Sequence, residues 1–112
     1  MSSVSYAPQR GDIVWVILDP RVGHEQSGRR PAIVLRHASF TERTGLAVVC
    51  PITSKVKGLP FEAVVKTKSI NGAILPLHIR SIDVNARKVQ FIEKAPAAVI
   101  RQTLKAVAAI IS

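Results

Sequence analysis

The sequence predicts a small, mainly β fold, an antiparallel barrel closed by a C-terminal helix. Three observations predict it. Val and Ile dominate the apolar segments and suit a pleated, half-buried surface. Turn residues punctuate those segments about every ten residues, the rhythm of a small, strongly bent sheet. Near the end, Ile100, Leu104, Val107 and Ile111 recur at spacings of four, three and four, which places them on one stripe of a helix.

About six or seven strands follow from the same pattern. The first spans residues 12–18, the second 32–36 and the third 47–52. Between the last two, residues 39–45 form a helical turn that Gly45 ends. The fourth strand covers 61–66, where Phe61, Ala63 and Val65 alternate with Glu62, Val64 and Lys66. Asn71-Gly72 is a turn signal leading into 73–75. Pro76 cannot donate to a ladder, so the chain bends there or lies at an edge before continuing as a strand over 78–82. A last strand covers 88–92, and Pro96 opens the helix at a position where its missing N–H costs nothing. Trp15 and Phe91, both within strands, are expected in the core. The elements together describe an SH3-like barrel.

At 112 residues, 47% of them apolar, the chain is long enough for one domain with its own core, needing neither disulfides nor a structural metal. Residues 1–9 read as a loose N-terminal tail and 10–112 as the domain; the start lacks the basic and apolar regions of a secretory signal, so a cytoplasmic location is expected. No apolar run approaches the ~18–20 residues of a membrane span. Cys50, alone in the run Leu46 to Pro51, reads as a small buried hydrophobe. His24, His37 and His78 with one cysteine show no zinc-ligand spacing, and no glycine-rich phosphate loop precedes the helix, so no metal and no cofactor are expected. Sixteen Lys and Arg against seven Asp and Glu give a formal charge of +9, spread along the chain, which favours a polyanionic partner on a folded basic face.

The segment Gly23-His24-Glu25-Gln26-Ser27-Gly28-Arg29-Arg30-Pro31 lies between the first two strands and is longer than a hairpin needs. Polar loops held on rigid strands are where ligand chemistry concentrates. Arg29 and Arg30 beside Glu25 suggest a phosphate site. The order of residues resembles the first loop of the MazF/PemK family of toxin endoribonucleases, Gly-x-Glu-Gln-x-x-x-Arg-Pro. Gly11-Asp12-Ile13-Val14-Trp15 with Asp19-Pro20 resembles the family's opening strand. Cys50-Pro51-Ile52-Thr53-Ser54 with Lys57-Gly58-Leu59-Pro60-Phe61-Glu62 resembles its second functional loop, and Arg80-Ser81-Ile82-Asp83 and the final helix complete the match over residues 10–111.

The resemblance implies a CcdB/MazF/PemK-like barrel and a type II toxin that cleaves single-stranded mRNA sequence-specifically without a metal. The products are a 2′,3′-cyclic phosphate and a 5′-hydroxyl, and translation stops. It implies a homodimer with RNA in the groove between subunits, and an acidic antitoxin that fills the same groove. RNA carries its own nucleophile, so the enzyme needs only to orient the 2′-hydroxyl, move protons and stabilise the phosphorane-like transition state.

The family's central arginine and threonine correspond to Arg30 and Thr53. Arg30 can hold two phosphate oxygens with a charge that persists at any working pH, and Pro31 fixes its approach to the strand. Thr53 is a poor proton carrier and suits a hydrogen bond to phosphate or 2′-hydroxyl. Glu25 can accept a proton, pair with Arg29 or Arg30, or bind a base edge, and His24 is the loop's one side chain suited to proton transfer near neutrality. These four form the expected catalytic set, with the assignment of acid and base left open. Gln26, Arg29, Ser54, Lys57, Phe61, His78 and Arg80 are the expected substrate contacts, Phe61 by stacking on a base. The sequence departs from the PemK branch at Leu77-His78, where relatives often carry Asp-Gln with an acid/base aspartate. Two rival readings follow: a CcdB-like gyrase inhibitor, which the helix end Ala-Ala-Ile-Ile-Ser lacking an aromatic disfavours, and an inactive member that only binds RNA or antitoxin.

Overall fold

A computed structural model describes residues 6–18, 28–56, 58 and 60–112. Seven strands form one curled antiparallel sheet: β1 (Asp12–Ile17), β2 (Arg29–Val34), β3 (Leu46–Thr53), β4 (Ala63–Lys66), β5 (Asn71–Ile74), β6 (Arg80–Asp83) and β7 (Gln90–Lys94). Two helices complete it, α1 (Ala38–Thr44) and α2 (Ala97–Ile111). The order across the sheet is β4-β5-β3-β2-β1-β7, with β6 also on β3. β3 holds two partners along one edge: its first half pairs with β6 through Leu46 to Val49, and its last residues pair with β5 through Ile52 and Thr53.

The sheet is apolar on both sides, so its central strands lack polar alternation. Successive residues feed two cores. Ile13, Ile33, Cys50, Ile52, Val65 and Ile74 pack beneath α2, which adds Val99, Ile100, Leu104 and Val107. Val14, Val16, Ala32, Val34, Val49 and Ile82 form the second core on the opposite face, with Tyr6, Leu18 and Val89 against it. At the end where β1 begins, Asp12 is buried, accepts the Tyr6 hydroxyl at 2.5 Å and pairs with Lys94 at 2.6 Å. These partners, with the Gln9 N–H that also donates to it, offset the cost of burying the carboxylate.

Several sequence expectations shift. β2 begins at Arg29 rather than at 32, and Pro31 sits opposite Trp15 where β2 has parted from β3 and a missing donor is tolerated. Asn71-Gly72 is not the turn; both residues begin β5, and the turn is Thr67 to Ile70, closed by the Thr67 N–H donating to the Ile70 carbonyl. Pro76 does bend the chain, as a 3-10 turn over Pro76–His78 that keeps His78 out of the following strand. β7 starts at Gln90, two residues late, because Lys88 takes a left-handed backbone (φ 53°) that ends the preceding turn. α2 opens after Pro96 as expected, but Ile111 is 75% exposed and Val99 packs in the stripe instead. Phe91, expected in the core, is 51% exposed on the edge strand and meets Tyr6 edge-on at 6.0 Å. The helical turn at 39–45 is α1, and Gly45 ends it with φ 75°.

Candidate active site

The β2–β3 register builds the site. Ala32 pairs with Pro51, Ile33 with Cys50 and Val34 with Val49. Arg30 and Thr53 each lie two residues beyond Ala32–Pro51, the last pair of this ladder, on the diverging ends of the two strands; opposite residues of an antiparallel pair share a face. Arg30 lies opposite Val16 and therefore faces the same side as the second core; Arg29, one residue earlier, faces the other side. There its guanidinium carbon stands 4.3 Å from the centroid of the Trp15 ring, a cation–π contact. The two exposed arginines therefore have different surroundings: Arg29 is held on Trp15, and Arg30 is free of that contact.

Both Arg30 and Thr53 line a cleft of about 570 Å³ over this end of the sheet, with Trp15, Pro31, Ile52, Ser54, Lys55, Ser69, Ile70 and Asn71. That volume falls within the ~300–1,000 Å³ usual for ligand clefts. Among the described residues its lining carries two cations and no carboxylate, a balance that suits an anion. The Thr53 Oγ1 accepts the Lys55 N–H at 3.2 Å, a local turn that fixes the hydroxyl's position and uses one lone pair. Gly72 makes the wall behind Thr53: a Cβ there would collide with the Thr53 carbonyl oxygen, so the glycine permits β5 to close on the end of β3.

Of the residues that the sequence singles out, Arg30, Thr53 and Ser54 meet in the cleft. Arg29 stands behind Trp15. Arg80 is paired with Val49 on the face shared by Arg30 and Thr53, farther along β3, and it does not line the cleft. His78 is exposed in the 3-10 turn, away from the lining. Phe61 is 44% exposed beyond β3, with φ 70°, a left-handed backbone unusual for an aromatic residue. His24, Glu25, Gln26 and Lys57 lie outside the described residues.

Trp15, Lys55, Ser69 and Asn71 line the cleft without having been expected there. Trp15 reads as core in a strand, and Asn71 reads as a turn former. Lys55 carried a usable signal, a cation directly after the Thr-Ser pair. The expected burial of Cys50 holds, and that burial pushes its thiol up to about 12, which favours the protonated thiol at neutral pH. Among the described residues no cluster of His, Cys, Asp or Glu is grouped as metal ligands are, and no helix is long and apolar enough to cross a membrane.

Residues 9–111 match the model of the PemK-like, MazF-like toxin family of type II toxin–antitoxin systems. The endoribonuclease toxin MazF of Escherichia coli strain K12 is 40% identical over 82 residues, 73% of this chain and 74% of that protein. The crystal structure of MazF from Deinococcus radiodurans superposes with a TM-score of 0.85 at 38% identity, covering 95% of this chain and 97% of that one. A MazE–MazF complex from the same organism gives a TM-score of 0.84 at 33% identity, with 96% and 97% covered.

Proposed function

The chain belongs to the PemK-like, MazF-like family of type II toxin–antitoxin toxins and is an endoribonuclease, and from that premise we propose that it cuts single-stranded mRNA at Arg30 and Thr53. The observation that supports this reading is that an exposed arginine, Arg30, and the Thr53 hydroxyl line one cleft with Lys55 beside them.

In the reaction, the 2′-oxygen attacks the adjacent phosphorus and the 5′-oxygen departs, leaving a 2′,3′-cyclic phosphate and a 5′-hydroxyl. The 2′-hydroxyl proton goes to a base, and the leaving oxygen takes one from an acid. Arg30 stabilises the charge that grows on the non-bridging oxygens, where its fork spans two acceptors. Thr53, anchored by the Lys55 N–H, donates to phosphate or orients the 2′-hydroxyl for in-line attack. Glu25 and His24, on the first loop, are the groups for the two proton transfers. Because RNA supplies the nucleophile, these steps need no metal.

The enzyme acts in the cytoplasm as a homodimer, with RNA drawn across the groove between subunits. An acidic antitoxin segment competes for the same groove, and a chain of net charge +9 suits both polyanions. The test is incubation of the purified protein with a long single-stranded RNA in excess EDTA, with cut sites and end groups mapped and Arg30→Ala run alongside. Defined cuts ending in cyclic phosphate, absent in the variant, establish the reading. A folded protein that leaves RNA intact returns the chain to a binding-only or gyrase-directed role.

A further inference from the structure

The wall of the cleft opposite Arg30 is the β4–β5 turn, and its construction is unusual for a surface hairpin. Lys66 and Asn71 are the last paired residues of that hairpin, leaving Thr67 to Ile70 as the loop. Three attachments hold it. Ile70 is buried in the core beneath α2, only 7% exposed. The Thr67 hydroxyl oxygen accepts the N–H groups of Ser69 (3.3 Å) and Ile70 (3.0 Å), and the same hydroxyl donates to the Glu93 carboxylate, 26 residues away on β7. Gly72 then lets the start of β5 press on the Thr53 carbonyl. The fixed turn leaves Lys68, Ser69 and Asn71 exposed, and of these Ser69 and Asn71 line the cleft.

A hairpin loop facing water needs none of these ties. A wall that reads a ligand does, because hydrogen-bond selection requires donors and acceptors held to within a fraction of an ångström. Asn71 offers a primary amide with adjacent donor and acceptor, the pattern that matches two neighbouring polar atoms on a nucleobase edge. Ser69 adds a hydroxyl that can donate or accept. Trp15 contributes an aromatic side chain to the same cleft, while Arg30 and Lys55 supply the positive charge that holds phosphate.

We propose that the β4–β5 turn is a base-reading wall of the cleft, with Asn71 and Ser69 as specificity-determining contacts to one nucleotide beside the scissile phosphate, and that Thr67 and Glu93 are positioning residues for it. This rests on the nuclease reading above. Asn71 and Ser69 choose which RNA sequence enters; Arg30 and Thr53 act on the phosphate whatever the base. Glu93 never touches RNA. It acts by holding Thr67, and through Thr67 the orientation of the wall.

The test is the cleavage-site profile on a long RNA pool, read by sequencing the new 5′ ends, for the parent chain and for Asn71→Ala, Ser69→Ala, Glu93→Ala and Glu93→Gln. In Asn71→Ala the preference at one nucleotide position relaxes by about tenfold, the discrimination typical of a paired amide contact. Glu93→Ala relaxes the same position, and Glu93→Gln, which still offers an acceptor to the Thr67 hydroxyl, restores it. Profiles of Asn71→Ala and Ser69→Ala that superpose on a cutting parent overturn the inference and leave the nuclease intact. A parent chain that does not cut overturns both. Glu93→Ala and Glu93→Gln behaving alike would remove the positioning role, since simple loss of stability does not select one nucleotide position.

Discussion

Gly72 and Thr53 are in backbone contact across β5 and β3, so close that the glycine has no room for a Cβ. The collision would be with a carbonyl oxygen on a paired strand, which cannot swing aside as a flexible side chain can. Gly72→Ala therefore moves the end of β3 and with it Thr53. We expect a stability loss of about 1–3 kcal/mol, as for overpacking elsewhere, and a fall in cleavage larger than that instability explains. Thermal melts and single-turnover cleavage on the same RNA check both.

Arg30 is exposed and carries no burial, so removing it leaves packing alone. Arg30→Ala should lower cleavage by roughly 10²–10³, the usual effect of deleting one oxyanion-stabilising group. Arg30→Lys should recover only part of that, because an ammonium lacks the planar fork. Arg29→Ala provides the contrast: it frees the Trp15 ring and should alter tryptophan emission without matching the loss of rate. Equal losses for the two arginines would remove the division of labour proposed for them.

Alkali should destabilise the fold. Burial raises the Cys50 thiol from 9.0 to about 12. Burial first, and then the hydrogen bond to Asp12 and its charge, raise the Tyr6 phenol above its ordinary 10.0. Both groups hold their protons in the folded state after the unfolded chain has released them. Their contribution is complete below the unfolded values and is lost as pH rises through the folded ones, so stability falls from pH 9.0 upward toward about 12. Denaturant melts at about pH 8 and about pH 11 should show the drop. Tyr6→Phe should flatten the part above 10.0. In native protein at neutral pH, Cys50 should resist alkylation until the chain is unfolded.

The Thr41 hydroxyl, in α1, is buried without a hydrogen-bond partner. Valine has nearly the same shape and no polar atom to satisfy. Thr41→Val should raise stability by about 1 kcal/mol, the cost of an unmade hydrogen bond, and a lower melting temperature would show that the hydroxyl is satisfied in solution.

Much of this fold was legible because its signals are local. Gly45 ends α1 through a positive φ that glycine tolerates, and Pro96 opens α2 at the position proline favours. The opening strand and β3 announce themselves by β-branched runs. The family pattern made Arg30, Thr53 and Ser54 legible as a group, and one cleft at the ends of β2 and β3 brings them together. What was not legible depends on distant neighbours. Gly72 is a glycine because of Thr53, not because of a turn, so Asn71-Gly72 misled. Trp15 looks like core until Arg29 is seen over its ring. Ile111 continues the helical stripe, yet only what lies beneath a helix decides where that stripe stops being buried. Nothing in the spacing of Thr67 and Glu93 hints that they touch.

The apolar character of both sheet faces leaves one question of fidelity to a single contact. In most sheets a slip of one residue drives polar groups inward and is rejected at once. Here β1 and β2 would present hydrophobic side chains to both cores in either alignment, so burial discriminates weakly between them. The slip would, however, exchange Arg29 for Arg30 in the cleft that Thr53 also lines. Arg29 over Trp15 opposes that exchange: the stacked pair acts as an index mark for the register that keeps Arg30, the arginine proposed for the phosphate, in the cleft.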